Sequence, residues 1–318
     1  MTGPGRDRSP GTVVVTGASG FAGFHLLDAL AAAGATVHAW RRTAGPLRAA
    51  ATHIVDLLDK ATVRRALQAA SPDLVFHLAG MTDVAGSWTH AADTLEVNVR
   101  GTLNLFEAIL EAGIRPRIVI SGSATVYAPS PAALDESASI GPRSPYALSK
   151  LAQERLALRF VDRYGMAISL ARTFNHTGPG QSPAFAASSF ARQIARIEAG
   201  RSAPVIEVGN LGARRDLSDV RDVVRAYVRI AEAGSVGRPY NVCAGVAVTM
   251  SDVLSRLLTL ARVRPEVRAD PARSRPSDAP VVLGSHERLS RELGWHPAIP
   301  LEQTLSDLLE SWRLATTA

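Results

Sequence analysis

The stretch Val13 to Leu27, VVVTGASGFAGFHLL, constrains the fold of this chain more than any other. Its β-branched run Val13, Val14, Val15 predicts a fully buried strand, because strands covered by helices on both faces are apolar without alternation. The run breaks at Gly17, Gly20 and Gly23 before an apolar helical pattern resumes. Strand, glycine turn and helix in that order form a phosphate cradle. Gly17 permits the tight turn, Gly20 lets backbone N–H groups approach an anion, and Gly23 lets the helix pack on the strand, with the helix N-terminus facing the negative charge. The spacing is G-x-x-G-x-x-G rather than G-x-G-x-x-G. Ser19, Phe21 and Ala22 share this turn and join the three glycines as candidate dinucleotide contacts.

At 318 residues and 46% apolar content, the chain can bury a large main domain with a smaller one attached. No apolar run approaches the roughly 18–20 residues a bilayer span needs. Residues 1–11, MTGPGRDRSPG, carry no hydrophobic signal region and read as a loose tail, so a cytoplasmic location is expected. A lone cysteine, Cys243, excludes an internal disulfide, and the eight histidines lack H-E-x-x-H or C-x-x-C company, so no metal site is predicted. The net charge of +6 suits an anionic ligand. The basic residues are scattered rather than clustered, which argues against nucleic acid. Nearly all of them are arginine; the only lysines are Lys60 and Lys150.

Strands and helices alternate along the first half, which predicts a doubly wound parallel α/β sheet. Ala35–Trp40 is a second strand, ending in Arg41 and Arg42 with no carboxylate; a basic pair there favours the extra phosphate of NADP over the bare ribose of NAD. His53–Leu57 reads as a short third strand, with Asp56 and Leu57 at its end facing an adenine, followed by a helix from Lys60 to Ala70. Leu74–Gly80 is a fourth strand, and its small residues Leu78, Ala79 and Gly80 let a nucleotide lie against backbone. A long helix over Thr94–Ala112 carries Asn98 on an apolar stripe, either bonding a neighbouring backbone or serving the site. Arg117–Ser121 opens into Gly122, Ser123 and Ala124. Tyr146 and Lys150 then stand four residues apart, on one face of a helix. A nearby ammonium favours the phenolate, so such a pair can exchange a proton nearer neutrality than a free phenol of pKa about 10.

TGASGFAGFHL, the Asn98 helix, Ser123, and Tyr146 with Lys150 resemble the extended short-chain dehydrogenase/reductases that act on nucleotide sugars, over almost the whole chain. The resemblance implies that Ser123 bonds the reacting sugar oxygen, Tyr146 is the general acid/base, and Lys150 holds the cofactor ribose while lowering the Tyr146 pKa. FNHTGPGQSPAF, FARQIARIEAG, VGNLGARRDLSDVRDVVRAY, YNVCAG and SRPSDAP are similar to the GDP-6-deoxy-4-keto-mannose reductases, which form GDP-rhamnose. By the same resemblance Ser123 and Ala124 meet the sugar and Asn175 the sugar or the diphosphate, while Arg192, Arg215 and Arg275 face the nucleotide. It implies NADPH as donor with NADH as the alternative, a GDP-linked 4-keto-6-deoxy sugar as substrate, and a homodimer paired through the helices bearing Asn98 and Tyr146.

Thr125 stands where the related 4,6-dehydratases place a glutamate base two residues beyond the serine or threonine. Elimination needs that carboxylate; carbonyl reduction needs only hydride, proton and an oxyanion donor. Gly122 and Ala128 also depart from the usual serine and glycine. A dehydratase, a nucleotide-sugar epimerase retaining NAD, and a non-catalytic NADP-binding regulator are the rival readings. In the second half, Met166–Thr173 is a sixth strand, Phe174–Pro183 an irregular loop, Ser188–Gly200 a helix, VIEVGN a strand, LGARRDLSDVRDVVRAY a helix, and Tyr240–Gly245 a further core strand. The expected division is a nucleotide-binding domain over 12–173 rejoined by 214–245, and a substrate lobe from 174–213 and 246–318.

Overall fold

The structure is a computed structural model that describes residues 11–45, 47, 49–273 and 279–317. The tail expected over residues 1–11 falls, up to Pro10, outside the described residues, as does Arg275. In chain order the first elements are β1 (Thr12–Thr16), α1 (Phe21–Ala32), β2 (Thr36–Arg41), β3 (Ala51–Ile54), α2 (Lys60–Ala70), β4 (Leu74–His77), α3 (Ala91–Leu95), α4 (Gly101–Glu111), β5 (Arg117–Ser123), α5 (Pro145–Tyr164) and β6 (Ala167–Thr173). There follow β7 (Asn175–Thr177), α6 (Ala186–Glu198), β8 (Val205–Val208), β9 (Arg214–Asp219), α7 (Val220–Ala233), β10 (Pro239–Val242), β11 (Ala247–Thr249), α8 (Met250–Leu260), β12 (Glu266–Ala269), β13 (Val281–Val282), α9 (Glu287–Leu293) and α10 (Leu301–Thr317).

The predicted α/β architecture is present. Seven strands form one sheet in the order β10-β6-β5-β4-β1-β2-β3, and the registered pairs β3–β2, β2–β1, β1–β4 and β4–β5 are parallel. The order steps outward in both directions from β1 and β4, so the chain reverses winding between them, where doubly wound sheets open a crevice at the strands' carboxyl ends. Val13, Val14 and Val15 are buried, as their unalternated pattern demanded. One apolar core holds Val14, Trp40, Val75, Phe106, Ile118 and Phe160. β3 starts and stops two to three residues earlier than expected: it is an edge strand whose half-buried and exposed residues alternate, and Val55 and Leu57 are buried beyond it.

The chain groups into two compact units, one of the chain up to Val126 with Pro142–Arg172 and Val224–Tyr240, the other of Tyr127–Gly141, Thr173–Val223 and the chain from Asn241. The expected nucleotide domain, 12–173 with 214–245, therefore differs: residues 127–141, 214–223 and 241–245 group with the second unit. The cause is β9, expected as helix. It is a strand pairing with β7, β11 and β13, and β7 itself lies in the stretch expected to be irregular. β9 escapes a hydropathy reading because its buried positions are polar: Asp216, Ser218 and Asp219. Asp216 accepts the N–H groups of Ala244, Gly245 and Gly284 at 2.7, 2.9 and 3.2 Å. Burial nonetheless pushes its carboxyl up to about 6, against the pull of those three bonds. The second unit has its own core, with Phe190, Ile194, Ile206, Val253, Leu257 and Leu308. Among the described residues no helix is long and apolar enough to cross a membrane.

Candidate active site

The glycine turn follows β1 as the sequence predicts. Gly17 sits at φ +67°, and a Cβ there would lie 2.7 Å from the Ala79 nitrogen, so both its dihedral and the passing backbone of the β4 exit require glycine. At Gly23 a Cβ would lie 2.3 Å from the Gly17 carbonyl oxygen, which fixes how closely α1 packs beneath the turn. Gly20 is the N-cap of α1, and no side chain caps the helix. Its first turn therefore presents backbone donors and the positive dipole end without a built-in anion. Ser19 and Gly20 are exposed, Phe21 and Ala22 half-buried. Across from the turn, Leu78, Ala79 and Gly80 are half-buried, and the Ala79 N–H donates to Thr16 Oγ1 at 3.1 Å.

At the end of β2, Arg41 folds back, donating from Nη1 to the Gly45 carbonyl at 2.8 Å and from Nη2 to that of Ala44 at 3.3 Å. Arg42, the next residue, is exposed. Asp56 is exposed, and its Oδ1 accepts the Leu58 N–H at 2.9 Å; Leu57 is buried, with its carbonyl accepting from Asn104 Nδ2 at 2.8 Å.

The long helix expected over Thr94–Ala112 is broken by a π-helical turn, Glu96–Arg100, between α3 and α4. Such turns add one residue per circuit and are frequent at functional sites. Asn98 stands in this turn and is fully buried. Its Oδ1 accepts the Met81 N–H at 2.8 Å, and its Nδ2 donates to the Met81 carbonyl at 3.1 Å and Ser149 Oγ at 2.8 Å. Both amide protons and an acceptor lone pair are thus committed, and Asn98 anchors the loop after β4 to α5.

α5 opens on Ser144, whose hydroxyl accepts the Ala147 N–H, and on Pro145, suited to the first turn; Gly165 closes it at φ +64°. This fixes the phase of the helix and buries Tyr146 and Lys150 together. The Tyr146 N–H donates to Ser87 Oγ at 3.2 Å, and Ser149 Oγ donates to the Tyr146 carbonyl at 2.7 Å. The Tyr146 phenol lies near the Ser123 hydroxyl, which favours its ionisation. Ser123 Oγ lies 2.9 Å from Thr125 Oγ1 and accepts the Thr125 N–H at 3.2 Å, with Ala124 buried between them. Lys150 Nζ donates to the Ser121 carbonyl at 2.7 Å and to Gln153 Oε1 at 2.9 Å.

The electrostatics correct one expectation. Burial pushes the Tyr146 phenol up to about 12; the nearby Ser123 hydroxyl opposes this and the Tyr227 phenol adds to it. Lys150 is not among the groups that move it: its Nζ donates to the Ser121 carbonyl and Gln153, and burial lowers its own pKa to about 8. At neutral pH the phenol therefore holds its proton, as a proton donor to a carbonyl must.

Residues the sequence reading did not single out complete the site: His77, Thr102, Gln153, Ser87 and Ser149, all buried and polar. The signal for His77 was present, since it is the one polar residue in the strand LVFHLAG.

Of the substrate candidates beyond Thr173, Asn175 is exposed on β7. Arg192 is exposed on α6 with its guanidinium carbon 5.8 Å from the Trp312 ring centroid. It lines an open cleft of about 470 Å³ with Arg196, Arg268, Arg273 and Glu207. Arg215 donates from Nη1 to the Arg214 and Ala279 carbonyls, both at 2.9 Å. No group of three or more potential metal ligands occurs among the described residues.

Comparison with known proteins yields four findings. The family described as GDP-mannose 4,6 dehydratase matches residues 14–308. GDP-6-deoxy-D-mannose reductase of Pseudomonas aeruginosa is 40% identical over 301 residues, covering 94% of this chain and 96% of that protein. The structure of RMD from Pseudomonas aeruginosa complexed with NADPH superposes with a TM-score of 0.87 at 36% identity, covering 96% of this chain and 100% of the other. A GDP-mannose 4,6-dehydratase of Sordaria araneosa is more distant, 28% identical over 95% of this chain and 61% of its own length.

Proposed function

This chain belongs to the GDP-mannose 4,6 dehydratase family of extended short-chain dehydrogenase/reductases, and from that premise we propose that it reduces the C4 ketone of GDP-4-keto-6-deoxy-D-mannose to GDP-D-rhamnose with NADPH. The observation that carries the reading is the buried Tyr146 phenol beside the Ser123 hydroxyl, with Thr125 Oγ1, not a carboxylate, 2.9 Å from Ser123 Oγ. That arrangement has an acid and an oxyanion donor for a carbonyl and no base for an elimination.

The residues fit a dinucleotide phosphate. A Cβ at Gly17 or Gly23 would collide with backbone and displace the turn, and α1 has no capping side chain. The Gly17–Gly23 turn would hold the pyrophosphate, Arg41 and Arg42 the adenosine end, and Leu78–Gly80 the passing nucleotide. Bound there, NADPH supplies the hydride. Tyr146 holds the proton destined for the C4 oxygen, and Ser123 donates to the same oxygen as charge develops. Lys150, one helical turn from Tyr146, would hold the ribose of the cofactor with its ammonium. Arg192, Arg215 and Arg275 are assigned to the nucleotide of the substrate, and the arginine-lined cleft beside Arg192 supports an anionic partner. Dimer formation through the helices bearing Asn98 and Tyr146 is supported by Leu95 on α3 and Leu148 on α5, large apolar side chains 36% and 50% exposed. The substrate and cofactor imply a cytoplasmic setting.

Incubation with GDP-4-keto-6-deoxy-mannose and either NADPH or NADH, with NMR of the product, tests the reading. GDP-rhamnose formed faster with NADPH is expected. Turnover of GDP-mannose without added cofactor would assign a dehydratase instead, and NADPH binding without turnover a regulator.

Gly17→Ala separates cradle from chemistry. A β-carbon in the left-handed region costs about 1–2 kcal/mol, before the contact with Ala79. NADPH affinity is expected to fall on the order of tenfold or more, measured by quenching of the reduced nicotinamide fluorescence; an unchanged Kd would remove the turn from the binding site.

A further inference from the structure

Behind Lys150 the buried polar side chains form one chain in which every donor can be assigned. Thr102 Oγ1 donates its single proton to the Asn98 carbonyl at 2.7 Å, so it must accept from its other two partners. One is Gln153 Nε2 at 2.7 Å; the other is His77 Nε2 at 2.8 Å. Burial and the Lys150 charge push His77 down to about 3, so the ring is neutral and Nε2 carries its only proton. Nδ1 is then the acceptor, and Thr16 Oγ1, which already accepts the Ala79 N–H, donates to it at 2.9 Å. With Nε2 committed to Thr102, the Gln153 amide can present only Oε1 to Lys150 Nζ, 2.9 Å away.

We propose that Gln153 is the positioning residue of Lys150, a neutral acceptor whose direction is locked through Thr102 and His77 and which keeps the buried ammonium charged and aimed without pairing it to a permanent carboxylate. A hydrogen bond from a charged donor favours the charged form, and the low dielectric around Gln153 strengthens it. A carboxylate in its place would hold the proton on Lys150 far into the alkaline range, whereas an apolar side chain would leave only the Ser121 carbonyl to offset desolvation. The other groups near Lys150 do not compete. His77 from β4 is neutral above about 3 and Tyr146 on α5 keeps its proton to about 12. Tyr227 from α7 is bonded to Ser121 Oγ at 3.1 Å, and Ser121, Asn98 and Thr102 do not ionise. The catalytic consequence rests on the reductase reading; the effect on Lys150 itself does not.

The chain has two lysines, so protein labelled with 13C at lysine Cε gives two side-chain NMR signals, and Lys60→Arg assigns them. In wild type the Lys150 midpoint is expected near 8. Gln153→Met is expected to lower it by about one pH unit or more, a tenfold drop in the ammonium-to-amine ratio, and Gln153→Glu to raise it by a similar amount, with Lys60 unmoved. The alkaline limb of kcat should track the NMR midpoint in each protein, since activity is lost as pH rises through the lysine pKa. Midpoints within about 0.3 pH unit of wild type, or moving in the same direction in both variants, overturn the proposal. If Gln153→Met does not fold, Gln153→Glu decides alone: a midpoint that fails to rise overturns it. Midpoints that move as expected in a protein that reduces no keto-sugar would leave the positioning role standing and sink the reductase reading.

Discussion

Tyr146→Phe is expected to lower kcat for keto-sugar reduction by roughly 10²–10⁴-fold, the usual contribution of a positioned general acid, while NADPH affinity stays within about twofold of wild type. The substitution removes one oxygen and leaves everything that places the residue. The Tyr146 backbone remains tied to Ser87 and Ser149, the ring remains buried, and Ser123 keeps Thr125 as a partner. Stability should therefore change by no more than about 1 kcal/mol, the net worth of one intramolecular hydrogen bond. Because the phenol is pushed up to about 12, wild type holds the transferable proton throughout the neutral range. The variant has no substitute for it at any pH. Steady-state kinetics beside a fluorescence titration separate the two effects. A Phe variant retaining more than about a tenth of wild-type turnover would show that the proton comes from elsewhere, and Ser123 would be the next group to remove.

The parts of the site readable from sequence are those where a residue type is forced by its own backbone or by a short spacing. Gly17 is forced by a positive φ and by Ala79, and its glycine therefore shows in the sequence. Tyr146 and Lys150 are bound by helical period, so four residues of separation were enough to place both on one buried face. What stayed hidden depends on partners far along the chain. Asn98 read equally as a backbone anchor or a site residue; its anchoring role emerges only because a π-helical turn aims it at Met81 and Ser149, 17 and 51 residues away. β9 read as helix because its inward positions are the polar Asp216 and Ser218 rather than an apolar pattern, and Asp216 is satisfied by backbone from later segments. The downward pull of Lys150 on Tyr146 was inferred from proximity alone. Gln153 and the Ser121 carbonyl, to which Lys150 Nζ donates, are visible only in three dimensions.

Removing one partner of the Glu154–Arg172 pair is expected to be the most destabilising single change in the nucleotide-binding unit. Arg172, at the end of β6, donates from Nε to Glu154 Oε2 at 2.9 Å and from Nη2 to Oε1 at 2.5 Å, with both side chains almost wholly buried at 5% and 4% exposure. Two charges so deep are tolerated only because the fork matches the carboxylate. Glu154→Leu removes the buried carboxylate that balances the guanidinium charge and should cost about 3–5 kcal/mol, a large part of the roughly 5–15 kcal/mol that holds a typical domain. For a unit of this size that corresponds to a fall in Tm of roughly 6–20 °C. Glu154→Leu combined with Arg172→Met should recover most of the loss, since replacing both partners removes the unbalanced charge along with the attraction. Thermal and urea unfolding of the singles and the double give the coupling directly. The pair ties α5 to β6 one residue beyond Gln153, so the double variant also isolates what the link does for catalysis. If Tm returns while kcat stays low, the salt bridge registers the helix that presents Tyr146 and Lys150. If Glu154→Leu alone costs less than about 1 kcal/mol, the guanidinium reaches solvent when its partner is lost, and the pair contributes no more than a surface bridge.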